Sequence, residues 1–212
     1  MQFDSRTISE MDKRYRAHLM NSMSGFRSAN LIGTKAMNGQ ENLAVFNSVC
    51  HIGANPPLMG FILRPLTVTR DTYDHIMESG YYTINHIHHS FINKAHHTAA
   101  KYPTEVSEFK KAGLTPHYEN KFHAPYVKES LVRIGLSFEE AIPIKANNTI
   151  MMVGKVQELH IDDALVAEDG WVDLSKAGTV AISNIDTYYK TELIDRLAYS
   201  KPDESVKSLL KK

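Results

Sequence analysis

The chain has 212 residues, and its 24 Lys plus Arg balance 24 Asp plus Glu, so the formal charge is zero with His neutral. Hydrophobic residues make up 42% and charged residues 23%, the composition of one globular domain with a sizeable core. Balanced charge gives no net field for gripping a phosphate backbone, which argues against nucleic acid as a partner, and a single cysteine, Cys50, excludes an internal disulfide and fits a reducing compartment.

The N-terminal stretch Met1 to Arg16 is polar and mixed in charge, with no apolar run behind a basic start. No segment has the length of uncharged residues needed to cross a bilayer, so a cytoplasmic chain with no membrane partner is expected. Residues 1–25 read as an N-terminal helical extension, with a helix from Ser9-Glu10 through Met20. Ser28 to Met37 reads as a strand, Asn38-Gly39 as a type I′ hairpin turn, and Asn42 to Ile52 as the return strand. Gly53-Ala54-Asn55-Pro56-Pro57 breaks the ladder, because consecutive prolines donate no hydrogen bonds. Leu58 to Leu63 is a short apolar run that suits a buried strand ending at Arg64-Pro65.

Asp71 or Thr72 can cap a helix through Tyr73, Ile76 and Met77, with Gly80 just past its end. Tyr81 to Ile87 alternates and is rich in β-formers, hence a strand. Ser90 to Gly113 is polar and helical, interrupted at Pro103, so residues 90–125 read as a helical insert that could cover a site. Leu131 to Ile142 and Ile150 to Ile161 are two further strands about an Asn147-Asn148 turn, and Val180 to Ile185 is a last one. Lys207, Lys211 and Lys212 read as a solvated tail. Hairpin-linked antiparallel strands with helices between them predict a mainly β fold with peripheral helices, a closed barrel in a single domain over 1–212.

The glycines contain no G-x-G-x-x-G and no G-x-x-x-x-G-K-[ST] spacing, so a phosphate-bearing ligand must be held in another way. There is no G-x-S-x-G elbow for a hydrolase. His86, His88, His89, His96 and His97 bunch together, but without a carboxylate pair or cysteine at ligand spacing no metal site is expected. Asn47-Ser48 interrupts an otherwise apolar strand. Such a pair either finds backbone partners, marks a bulge, or faces a polar ring or a phosphate.

The whole pattern resembles the flavin reductase-like family: an Asn/Ser pair on a strand, a Pro-Pro break, a buried strand ending in Arg64, a Thr-started helix, and an aromatic-rich strand ending in Asn85. The best match is Asn42 to Asn85. Echoes at His97-Thr98, Ser107-Glu108-Phe109, Gly113-Leu114 and Tyr188-Tyr189 extend it over Phe26 to Tyr189. The resemblance implies an FMN-binding split β-barrel of antiparallel strands, working as a homodimer. It implies Asn47, Ser48, Val49 and Cys50 along the edge of the flavin ring, although Cys50 also reads as a small packed hydrophobe. Arg64, Arg70 and Thr72 would lie at the phosphate, with Asn85, His97 and Thr98 as further contacts. NAD(P)H would be the electron donor and a small-molecule substrate the electron acceptor. No side chain is implied as catalytic, since the chemistry belongs to the cofactor. The alternative is a carrier or sensor that holds flavin in the same barrel without turnover.

Overall fold

After its first long hairpin the chain leaves one edge of the main sheet and, three residues later, joins the opposite edge. The computed structural model that reveals this describes residues 1–210; Lys211 and Lys212 of the predicted tail lie outside the described residues.

Two helices come first, α1 (Ser5–Glu10) and α2 (Lys13–Met23). The single helix expected over residues 9–20 is divided. Met11 is extended, and Asp12 starts a new helix by accepting from the Arg14 and Tyr15 amides at 2.9 and 3.0 Å. Then come β1 (Arg27–Ser28), β2 (Asn30–Lys35) and β3 (Glu41–Phe46). The β2–β3 turn is not type I′. It runs from Ala36 to Gly39, closed by the Gly39 amide on the Ala36 carbonyl at 3.0 Å, and Gly39 takes the positive φ of 94°. Asn38 instead accepts from the Gln40 amide through its side chain.

The return strand expected over Asn42 to Ile52 is two strands, β3 and β4 (Cys50–Ala54), separated at Asn47-Ser48-Val49. A cis Asn55–Pro56 bond lies in the turn to β5 (Pro57–Leu63). Pro57, expected within the break, heads β5 opposite Ala54, because a first strand residue need not donate. Helix α3 (Asp71–Ser79) starts after Arg70 at its N-cap, not after Asp71 or Thr72, and Gly80 ends it at φ 76°. Strand β6 (Tyr81–His86) follows. The expected helical insert holds a 3₁₀ turn at His89–Phe91 and two short helices, α4 (Ile92–His97) and α5 (Glu108–Ala112), with residues 98–107 non-helical between them. Two short strands escaped the sequence reading, β7 (Pro116–His117) and β8 (Tyr126–Val127). The long β9 (Val132–Ile144) and β10 (Thr149–Ile161) pair through a turn that holds Asn148 at φ 57°. Last come β11 (Val180–Ser183) and the unanticipated β12 (Thr187–Lys190).

Seven strands form one antiparallel sheet in the order β3-β2-β6-β9-β10-β5-β4. Because β3 and β4 are its two edges and three residues join them, the sheet must curl until those edges meet. The fold is therefore mainly antiparallel β with few helices, a split barrel. Ile32, Phe61, Tyr82, Ile84, Leu136 and Met152 fill its lumen. Leu31, Leu43 and Ile87 point outward, where Phe91, Ala95 and Phe109 cover them, so the predicted polar insert in fact supplies an apolar face. Alternate residues of β2 thus serve two cores, which explains why the strand is buried on both faces.

Residues 115–130 dock on the barrel wall where two strands lack side chains. A Cβ at Gly33 would overlap the Pro125 carbonyl, and one at Gly135 the Tyr126 hydroxyl. Glu119 fastens this segment, lying 3.1 Å from Arg133 and 2.9 Å from His160. Among the described residues no helix is long and apolar enough to cross a membrane.

Candidate functional site

The crossing between β3 and β4 is pinned residue by residue. Asn47 Nδ2 donates to the Asn184 carbonyl at 2.7 Å. Ser48 Oγ accepts from the Ile62 amide at 3.1 Å and donates to the Ile62 carbonyl at 3.2 Å. The Val49 carbonyl accepts from Ser28 Oγ at 3.3 Å. Ser48 thus takes the place of a ladder residue and closes the barrel seam against β5. The backbone-partner reading of the Asn47-Ser48 pair holds, and in place of a bulge the pair lies in a break between two strands. The main chain at Asn47, Ser48 and Val49 stands outside the ladders of β3 and β4, whose register ends at Phe46 and resumes at Cys50.

Beside this crossing lies a cleft of about 570 Å³. That volume suits a small-molecule or cofactor site. The end of β3 and the crossing supply Phe46, Asn47 and Ser48, and β5 runs out of the barrel to deliver Arg64. The loop into α3 adds Thr69 and Arg70, and the first turn of α3 adds Asp71 and Thr72. Residues Thr98 to Tyr102, between α4 and α5, form another wall, with Glu108 beside it. Ile182 and Ile185 close the side nearest β11.

Six of the ten residues singled out from the sequence therefore meet in one cleft: Asn47, Ser48, Arg64, Arg70, Thr72 and Thr98. Four do not line it. Val49 packs toward the lumen. Cys50 is exposed on edge strand β4 and is no packed hydrophobe. Asn85 is wholly buried, donating to the Leu31 carbonyl at 3.2 Å and to Thr83 Oγ1 at 2.9 Å, and accepting from the Val127 amide at 2.9 Å. It ties β6 to β2 and β8, so its place is structural. His97 is exposed behind the wall, with Nε2 3.1 Å from the hydroxyl of Tyr102. Lys101, Tyr102, Thr69 and Glu108 were not singled out. The first two lie three and four residues after Thr98, and Glu108 lies within a motif read only as an echo.

The cleft is built for an anion. Arg64, Arg70 and Lys101 form no ion pair among the described residues. Arg70 Nε is enclosed yet has no hydrogen-bond partner among the described residues, an arrangement that costs free energy unless a ligand supplies the acceptor. Helix α3 presents its N-terminus here without a side-chain cap, so the Asp71 and Thr72 amides face the cleft with no partner among the described residues, while Asp71 and Asp74 in the first turn partly offset the helix dipole. Of the two acids present, Glu108 is pushed above its ordinary pKa, chiefly by burial, which weakens its opposing charge. A phosphate monoester fits this donor set: two guanidiniums, an ammonium, a hydroxyl and a helix N-terminus.

Of the clustered histidines only His88 and His89 stack on each other among the described residues, with ring centroids 4.0 Å apart. His86 Nδ1 is enclosed without a partner, His88 bonds Ser90, His96 approaches Tyr188, and His97 stands against Tyr102. Among the described residues no group of three or more His, Cys, Asp or Glu is placed to hold a metal ion.

An antiparallel barrel, split at a three-residue crossing and carrying a basic cleft beside that crossing, defines a split-barrel protein of the flavin reductase type. Residues 23–183 match the flavin reductase like domain, and the chain belongs to that family. A candidate flavin reductase with a split barrel domain from Shewanella frigidimarina NCIMB 400 is 44% identical, with a TM-score of 0.91 over 94% of this chain and 100% of that one. Component B of nitrilotriacetate monooxygenase from Bacillus cereus is 22% identical, with a TM-score of 0.81 over 93% of this chain and 98% of that one. An FMN-binding protein from Thermus thermophilus is 15% identical, with a TM-score of 0.67 over 80% and 88%. The last two likenesses are of fold.

Proposed function

We propose that the chain is an FMN-binding oxidoreductase that takes electrons from NAD(P)H and passes them to a small-molecule acceptor. The observation that carries this reading is the convergence, in one cleft, of an unpaired cationic group at Arg64, Arg70 and Lys101 with main chain freed from the sheet at Asn47 and Ser48. The cations and the Thr72 hydroxyl receive the phosphate, where charge-assisted hydrogen bonds are strongest. The freed main-chain N–H and C=O groups of the crossing suit the alternating donors and acceptors on the edge of the flavin ring. Bound FMN supplies the two-electron chemistry. Phe46 and Ile62 form an apolar wall that excludes water, while Asn47 and Ser48 hold the crossing still through their bonds to Asn184 and Ile62.

A homodimer belongs to the same reading. Val68 and Ile185, both on the cleft lining, are 60% and 41% exposed, an apolar rim suited to a second copy of the chain. The test is the visible spectrum of protein loaded with FMN and freed of excess, before and after NADH or NADPH under argon. A retained two-banded spectrum that bleaches supports the oxidoreductase. Retained flavin that does not bleach with either donor points to the carrier or sensor. No retained flavin removes the proposal.

A further inference from the structure

The Thr72 hydroxyl in the cleft is the outer end of a line of four buried polar side chains. Asn42 Nδ2 lies 3.1 Å from Thr72 Oγ1 and 3.0 Å from Thr34 Oγ1, and Thr34 Oγ1 lies 3.3 Å from His75 Nδ1. All four residues are at most 6% exposed. Three elements meet in this line: β2 through Thr34, β3 through Asn42, and α3 through Thr72 and His75. Asn42 itself does not line the cleft.

The chemistry of an amide group orients the line. The Asn42 nitrogen carries two protons and no available lone pair, so it donates in both contacts and both threonine oxygens accept. Each hydroxyl proton must then point elsewhere. With the ring of His75 neutral and its proton on Nε2, Nδ1 accepts the Thr34 proton, and burial of that ring lowers its pKa. The Thr72 hydroxyl accepts from Asn42 and donates to no carbonyl among the described residues. Its proton is left for the cleft. A phosphate dianion accepts hydrogen bonds and offers none, so a hydroxyl turned the other way would present a lone pair to it.

We propose that Asn42 is a positioning residue: by committing both amide protons to Thr34 and Thr72, it makes Thr72 a donor toward the cleft. In doing so it sets the preference for a phosphorylated over an unphosphorylated flavin. This rests on the reading that Thr72, Arg64 and Arg70 receive the phosphate. The effect is specific because riboflavin shares every ring contact with FMN and lacks only the phosphate.

The experiment titrates FMN and riboflavin by fluorescence quenching and reads the ratio of their Kd values. In Asn42→Asp the side chain keeps its shape but accepts where it donated, so both threonines turn their protons inward. The ratio falls at least tenfold, while riboflavin affinity stays within threefold. Asn42→Leu removes the donors without adding charge, and the ratio falls about threefold or more. In a Thr72→Val background Asn42→Leu changes the ratio no further, because the coupling runs through that hydroxyl. If wild-type protein binds no FMN, the flavin reading itself fails. If wild type prefers FMN and folded Asn42 variants keep the ratio, the flavin reading stands and the positioning role is overturned. Should the Asn42 variants not fold, Thr34→Val supplies the test by removing the second acceptor that orients the amide. A lowered ratio supports the role, and an unchanged one overturns it.

Discussion

The side-chain amide of Asn47 donates to the main-chain carbonyl of Asn184 at 2.7 Å, joining the barrel crossing to the turn after β11. Asn184 sits at φ 56°, and the same carbonyl accepts from Arg27 at 3.0 Å, so one unusual backbone position anchors both the crossing and the entry to β1. Asn47→Leu should cost about 1–2 kcal/mol, the loss of a partly buried hydrogen bond with its acceptor left behind. Asn184→Gly keeps the carbonyl and tolerates positive φ, whereas Asn184→Val is β-branched and strained there. Thermal melting should therefore rank Asn184→Gly above Asn184→Val. The reverse order would mean that the left-handed backbone is not what aims the carbonyl.

Ser48 makes both bonds that a strand neighbour would make to Ile62. Ser48→Ala leaves that amide and carbonyl without partners, at a cost of about 1–3 kcal/mol. Local opening of the seam should follow, read as faster hydrogen exchange at the Ile62 amide than at Gly60, which keeps its pairing with Cys50. Uniform acceleration along β5 would show that Ser48 is not a local pin.

Tyr82 is wholly buried in the lumen, its hydroxyl has no partner among the described residues, and Gly154 on β10 leaves the space it occupies. A Cβ at Gly154 would overlap that hydroxyl and lie 2.7 Å from Tyr82 Cζ. Gly154→Ala should destabilise by about 1–3 kcal/mol through overpacking. Tyr82→Phe alone should be neutral or stabilising, since it removes a buried orphan, and it should rescue much of the Gly154→Ala loss. Chemical denaturation of the two single variants and the double variant reads the coupling directly. Strictly additive losses would contradict it.

Burial pushes His86 down to about 4 from 6.5. The unfolded chain therefore binds a proton that the folded chain refuses between those values. Stability from this group is complete above pH 6.5 and lost as pH falls toward 4, by an amount on the order of 3 kcal/mol. His86→Leu should flatten that acid limb when melting temperature is followed over the window. An unchanged limb would assign acid sensitivity to other groups.

Much of the barrel was legible because its signals are local. Gly80 stops α3, the alternation of Tyr81 to His86 marks β6, and Asn147-Asn148 separates two long strands. The crossing was not legible. Every residue from Asn42 to Ile52 is compatible with one strand, and the break is made by Ser48 bonding Ile62, a partner chosen by closure of the barrel. Asn85 shows the same limit: an asparagine in an apolar strand can face a ligand or the interior, and its partner at Val127 belongs to a strand too short to read. Arg64, Arg70 and Thr72 were named through the family resemblance, which could be aligned on the readable strand and helix they border or start. Lys101 and Tyr102 sit on a non-helical stretch with no periodic pattern, so nothing local marked them.

The most direct measurement is calorimetric titration of FMN into the wild-type protein, where the buried Arg70 Nε has no partner among the described residues, and into Arg70→Ala. The account predicts saturable binding of one FMN per chain, weakened at least tenfold in the variant, with riboflavin affinity little changed. No binding to the wild type, or equal FMN affinity in a folded Arg70→Ala, would contradict it.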